Sequence, residues 1–177
     1  EPHPHVAGAV DVWIEHHRSP ERVKLDPDRN IRLLQLSLKD DEDADRPVDA
    51  QNLYHLALEA ESRRQWMNAI KLFRAYVPKS GFREQVYDAL CEMGLCYRQL
   101  ILDRRRRGLN FNLLMHDAMD SYFRAVEIRD DWPDAWVGLA HMRLLSGDPE
   151  GTLRYLARAR LLEGHTMAPV IGVQPLR

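Results

Sequence analysis

Three groups of side chains in this sequence are of types that could do chemistry. The first is histidine. His3, His5, His16 and His17 make up half of the eight histidines and all fall in the first 27 residues, and neutral imidazole is a common metal ligand. His16 and His17 are adjacent, so on a strand they point to opposite faces and only one could line a given site. The second group is the run Arg104-Arg105-Arg106-Arg107. Guanidinium groups bind anions in bidentate fashion, which makes the run a candidate docking site for phosphate or an acidic surface. Its only aromatic neighbour is Phe111, thin support for nucleic acid, whose bases need stacking platforms. The third is Asp40-Asp41-Glu42-Asp43-Ala44-Asp45, which lacks the glycine turn and distal glutamate of a calcium-binding EF-hand and reads as a solvated loop.

Other chemistries are disfavoured by what the sequence lacks. Cys91 and Cys96 are five apart in an apolar helical pattern, on different faces, and no second cysteine pair exists for zinc. They read as reduced core thiols in a reducing compartment. There is no glycine-rich phosphate loop, no nucleophile motif and no carboxylate pair with a pocket context, so the chain by itself is not expected to catalyse a reaction. With 177 residues, 45% hydrophobic and 29% charged, and a net charge of -2, the composition is that of one ordinary globular domain. It gives no electrostatic reason to expect nucleic acid or an acidic membrane. No run approaches the roughly 20 apolar residues of a membrane span.

These side chains must be positioned by two kinds of element. Residues 1–27 are rich in Pro and His and lack helical periodicity; within them Val10, Asp11, Val12, Trp13 and Ile14 alternate like a strand. A strand alone has unpaired edges, and the start Glu1-Pro2-His3-Pro4-His5 has neither an initiator Met nor a signal pattern. Both predict that residue 1 is a cut inside a longer protein. Asp26-Pro27-Asp28 opens a helix with Ile31, Leu34 and Leu38 on one face.

From Val48 onward the pattern is helical and repeats. Leu53-Leu56-Ala57, Leu90-Met93-Gly94 and Trp136-Leu139-Ala140 share one logic, two large residues three apart and then a small one. The small residue admits a partner helix and the large ones fill the groove beside it. The partner helices offer Ala69-Phe73-Tyr76, Ala118-Tyr122-Ala125 and Thr152-Leu156-Ala159, with Leu153 counted on the same apolar face. Ser146-Gly147-Asp148-Pro149 and Arg129 to Asp134 are turns, and Pro133 suits the first turn of a helix.

On these residues, and above all on Ala125 to Ala140, the sequence resembles the tetratricopeptide repeat family over about residues 50 to 162. The spacing between equivalent positions stretches near Asp103 to Asn112, which reads as an Arg-rich insertion between two helices. The resemblance implies a fold and is almost silent as to partner.

A second resemblance rests on Asp11-Val12-Trp13-Ile14-Glu15-His16-His17-Arg18, Asp28-Arg29-Asn30-Ile31-Arg32-Leu33-Leu34 and Asn52-Leu53-Tyr54-His55-Leu56-Ala57. In that order they are similar to the C-terminal part of bacterial and phage family 2 glycosyltransferases. The resemblance implies that His16 sits at the edge of a catalytic site and helps hold a divalent metal with the sugar-nucleotide diphosphate. It further implies that His5 matches an acceptor-side histidine. The metal and the nucleotide-sugar belong to a full-length parent, since the Asp-x-Asp motif is absent; Asp26-Pro27-Asp28 has the spacing but opens a helix.

The expected architecture is therefore all-α, a tetratricopeptide-like antiparallel helix-pair solenoid with a short N-terminal β/irregular segment. Residues 1–27 would end an upstream catalytic domain, 28–47 form a connecting helix and acidic loop, 48–164 the repeats, and 165–177 a tail. The expected function is a scaffold that positions an acceptor or mediates protein contacts for a glycosyltransferase-like parent. The alternative is a stand-alone adaptor for a peptide or protein, with Arg98, His141 and Arg143 facing inward as recognition residues beside the Arg104–Arg107 run. Expected partners are the upstream domain or another protein, with a homo-oligomer open, no membrane, and the cytoplasm as the compartment.

Overall fold

The computed structural model describes residues 28–162. The expected strand at 10–14, His3, His5, His16 and His17, and the tail at 165–177 all lie outside the described residues. Within them are seven helices: α1 (Arg29–Asp43), α2 (Ala50–Ser62), α3 (Trp66–Tyr76), α4 (Arg83–Arg106), α5 (Asn112–Ile128), α6 (Pro133–Leu145) and α7 (Pro149–Leu161). There is no strand among the described residues. Consecutive helices pack as the hairpins α2–α3, α4–α5 and α6–α7, and α1 lies against α2.

The starts of the helices follow their sequences. The Asp49 carboxylate accepts the Gln51 N–H at 2.9 Å and caps α2, and Asp148 accepts the Gly151 N–H at 2.8 Å to cap α7. Pro133 and Pro149 occupy first turns, where a missing N–H costs nothing.

The ends of the first helices obey one rule. In α1, α2, α4 and α6 the chain closes in a Schellman motif, two crossed backbone hydrogen bonds around one left-handed residue. In α2 the Gln65 N–H reaches the Ala60 carbonyl at 2.8 Å and Arg64 N–H reaches Glu61 at 2.7 Å; in α4 Leu109 reaches Arg104 at 2.9 Å and Gly108 reaches Arg105 at 3.1 Å. The left-handed residues are Asp45, Arg64, Gly108 and Gly147. Two of these four carry a β carbon where glycine would be easier.

The shared core is the one the repeat pattern requires. Ala57, Ala69, Phe73, Tyr76, Leu90, Met93, Ala118, Ala125 and Leu139 are all buried. The most constrained contact is the Tyr122 ring of α5, which fills a slot between Gly94 of α4 and Gly138 of α6. A Cβ at either glycine would collide with that ring. Tyr87 of α4 makes a second lock: its ring meets Trp132 edge-on at 4.9 Å. Its hydroxyl accepts the Ala135 N–H at 3.0 Å, satisfying an open donor in the first turn of α6.

Three expectations need correction. The acidic run is not a loop: Asp40 to Asp43 form the last turn of α1, and the chain leaves the helix only at Ala44. Asp41 there is offset by Arg46 at 3.0 Å. The Arg-rich segment is not an inter-helix insertion. Arg104, Arg105 and Arg106 are the last turn of a 24-residue α4, because arginine is a good helix former and its charge suits the negative end of a helix. Leu153 and Leu156 are not core residues; they are 68% and 41% exposed. Thr152 and Ala159 carry the packing of α7, and among the described residues no further helix follows to cover the other side.

Candidate functional site

The first helices of the three pairs lie side by side, and the helical period gives each the same stripe. Gln51, Tyr54, Leu58 and Glu61 on α2 match Asp88, Cys91, Leu95 and Arg98 on α4, and Asp134, Val137, His141 and Leu144 on α6. Spacings of three, four and three residues repeat in all. The stripes are joined by side chains. Gln51 and Gln85 exchange amide hydrogen bonds at 2.7 and 3.0 Å, the Tyr54 hydroxyl donates to Asp88, and Arg98 Nη1 donates to His141 Nδ1 at 2.7 Å.

The electrostatics divide this face in two. On the α2–α4 side, Glu61 and Glu92 face each other, and burial followed by their mutual repulsion pushes the Glu92 carboxyl up to about 9. Burial also raises Glu61 and Asp88, the Tyr54 hydrogen bond opposing the rise at Asp88. Burial likewise pushes the Cys91 thiol well above its usual value, with the nearby carboxylates Asp134, Asp88 and Glu92 adding to it. Both cysteines are free and unreactive in character. On the α4–α6 side the group is cationic. Desolvation, then the charge of Arg98, lowers the His141 pKa, so the imidazole is neutral at pH 7 and its Nδ1 can accept from a guanidinium that can only donate.

Of the residues singled out from the sequence, Arg98 and His141 are brought together on this face. Arg143 is not with them. Two residues beyond His141 along α6, it turns to the α6–α7 connection and pairs with Asp148 at 3.7 Å. The arginine run projects at the far end of α4: Arg107 pairs with Asp103 at 3.1 Å and Arg104 reaches the Asn110 carbonyl at 3.1 Å. His5 and His16 fall outside the described residues, and among those described no three of His, Cys, Asp or Glu gather closely enough to hold a metal.

Sequence reasoning missed Tyr54, Glu61, Asp88 and Glu92. A signal existed in Glu92, an acid set between core positions Leu90 and Met93. No helix among the described residues is long and apolar enough to cross a membrane.

No family model matches the chain, and no curated protein matches it. Solved structures do. PcrH in complex with the chaperone-binding region of PopB is 22% identical, covering 67% of this chain and 84% of that one, with a TM-score of 0.52. The fold is a tetratricopeptide-like helical array. A structure of MamA aligns at 17% identity over 82% of this chain and 93% of its own, with a TM-score of 0.35. The motif resemblance of residues 11–57 to family 2 glycosyltransferases finds no support in these comparisons.

Proposed function

We propose that the chain is a docking scaffold for a protein partner, held as an extended segment along the face of α2, α4 and α6. The observation that carries this reading is the threefold stripe. The stripes of α2 and α4 carry polar groups at both ends with apolar groups between them, and that of α6 runs from Asp134 through Val137 and His141 to Leu144, a surface that alternate side chains of an extended peptide can read. The Arg98–His141 pair on the α4–α6 side would set the direction of that segment by receiving an acidic residue. PcrH, whose fold this chain shares, is seen with a segment of another protein, which adds to the reading. Nothing among the described residues favours the glycosyltransferase parentage over it.

Site-specific photo-crosslinking of the full chain tests the proposal, with a partner identified by affinity capture. A crosslinker at Leu95, on the face, should trap the partner, while one at Leu113, an exposed position on α5, should not. The charge reversal Arg98→Glu should weaken binding by about tenfold or more. Crosslinks from Leu113 alone would sink the reading.

A further inference from the structure

The extension of α4 does more than present arginines to solvent. Counted from the matching small residues Ala57 and Gly94, α2 ends at Ser62 but α4 continues to Arg106, about two turns farther. This overhang stands beside the α2–α3 turn and borders a half-open pocket of about 420 Å³ lined by Arg64, Trp66, Gln99, Leu100, Asp103 and Arg106.

The charges in this pocket do not cancel. Neither Arg64 nor Arg106 has an acidic partner among the described residues, whereas the one acid in the wall, Asp103, is held by Arg107 at 3.1 Å. Three carbonyls in the last turn of α4, those of Asp103, Arg104 and Arg105, which would repel an anion, accept backbone bonds from Arg107, Gly108 and Leu109. Gln99 adds an amide donor, and Trp66 with Leu100 supplies an apolar wall. Arg64 sits at an unusual backbone position. Its backbone is left-handed, φ 59°, at a turn position where glycine would be the less strained residue, yet the chain places a guanidinium there, facing the pocket.

We propose that this pocket binds the phosphate group of a phosphate monoester. Two guanidinium groups from different helical pairs would clasp the oxygens, and the organic portion would rest on Trp66. The shared chemistry is an oxyanion on an apolar stem, which a carboxylate could also supply. The site is apart from the stripes of the first helices and stands whether or not they carry a partner.

Phenyl phosphate and benzoate serve as probes, titrated into the full chain while the Trp66 indole N–H is followed by NMR, its resonance assigned with Trp66→Phe. Phenyl phosphate should give a saturable shift and bind more tightly than benzoate. Arg64→Gly should keep or raise the melting temperature, since it relieves the turn, while weakening phenyl phosphate binding about tenfold. Arg106→Gln should weaken it similarly, and Arg105→Gln, an exposed arginine outside the pocket wall, should leave it unchanged. The proposal is overturned if no saturable shift appears, if benzoate binds more tightly, or if Arg64→Gly and Arg106→Gln bind like the parent chain.

Discussion

The two joints between helical pairs are built from different materials. Between the first and second pairs, α2 meets α4 through titratable and amide groups: Gln51 with Gln85, Tyr54 with Asp88, Glu61 with Glu92. Between the second and third pairs the Arg98–His141 hydrogen bond is joined by contacts that are mainly aromatic and close. Tyr122 enters the slot at Gly138, and Tyr87 grips Trp132 and the start of α6. The same repeat geometry can thus be held by polar pairs whose strength depends on protonation, or by shape, which does not. The first kind responds to conditions; the second fixes the relative placement of neighbours.

Breaking the aromatic joint should have the largest effect. Gly138→Ala forces a methyl group into the Tyr122 ring, an overpacking that costs about 1–3 kcal/mol, partly offset by a gain in helix propensity of about 1 kcal/mol. Chemical denaturation should show a net loss, and combining it with Tyr122→Leu should show strong coupling between the two sites. Tyr87→Phe keeps the ring against Trp132 but orphans the buried Ala135 N–H, at a cost of about 1–2 kcal/mol. An equal stability of this variant and the parent would mean that water replaces the hydroxyl.

The polar joint should show itself through pH. The folded chain holds the Glu92 proton more tightly than the unfolded one, whose glutamate titrates near its usual value. Below that value both states are protonated and the group is neutral with respect to stability. As pH rises toward about 9 the unfolded state ionises first, so stability falls across this window and levels off above it. Melting temperatures of Glu92→Gln should therefore decline less than those of the parent chain between pH 5 and pH 9. Parallel curves would assign the pair no part in the joint.

Much of the fold was legible in the sequence because its determinants are local. Ala57, Gly94 and Ala140 mark the helix crossings, and the large residues one and four positions before them mark the buried face; these depend only on the helical period. What escaped was set by contacts between pairs. Tyr87 and Ala135 are 48 residues apart, and nothing near Gly138 tells that a tyrosine from α5 will occupy its space. The arginine run was misread for a different reason. Charge density suggested a loop, while helix propensity and the glycine at 108 place the helix end after the run. Arg143 shows the limit of face counting: it lies two positions after His141, enough to turn it to another partner. The prediction for α7 went wrong at Leu153 and Leu156 because a repeat pattern presumes a next repeat to cover them.

The Schellman closure has one more consequence, for how such arrays can change length. In α2 the carbonyl that closes the motif belongs to Ala60, three residues past the crossing at Ala57; in α4 it belongs to Arg104, ten past Gly94. The difference is one heptad, which rotates the exit of the chain by only about 20° on an ideal helix. A first helix can therefore grow in evolution by seven residues and still hand the chain to its partner in the right direction. Increments of three or five would aim that partner elsewhere.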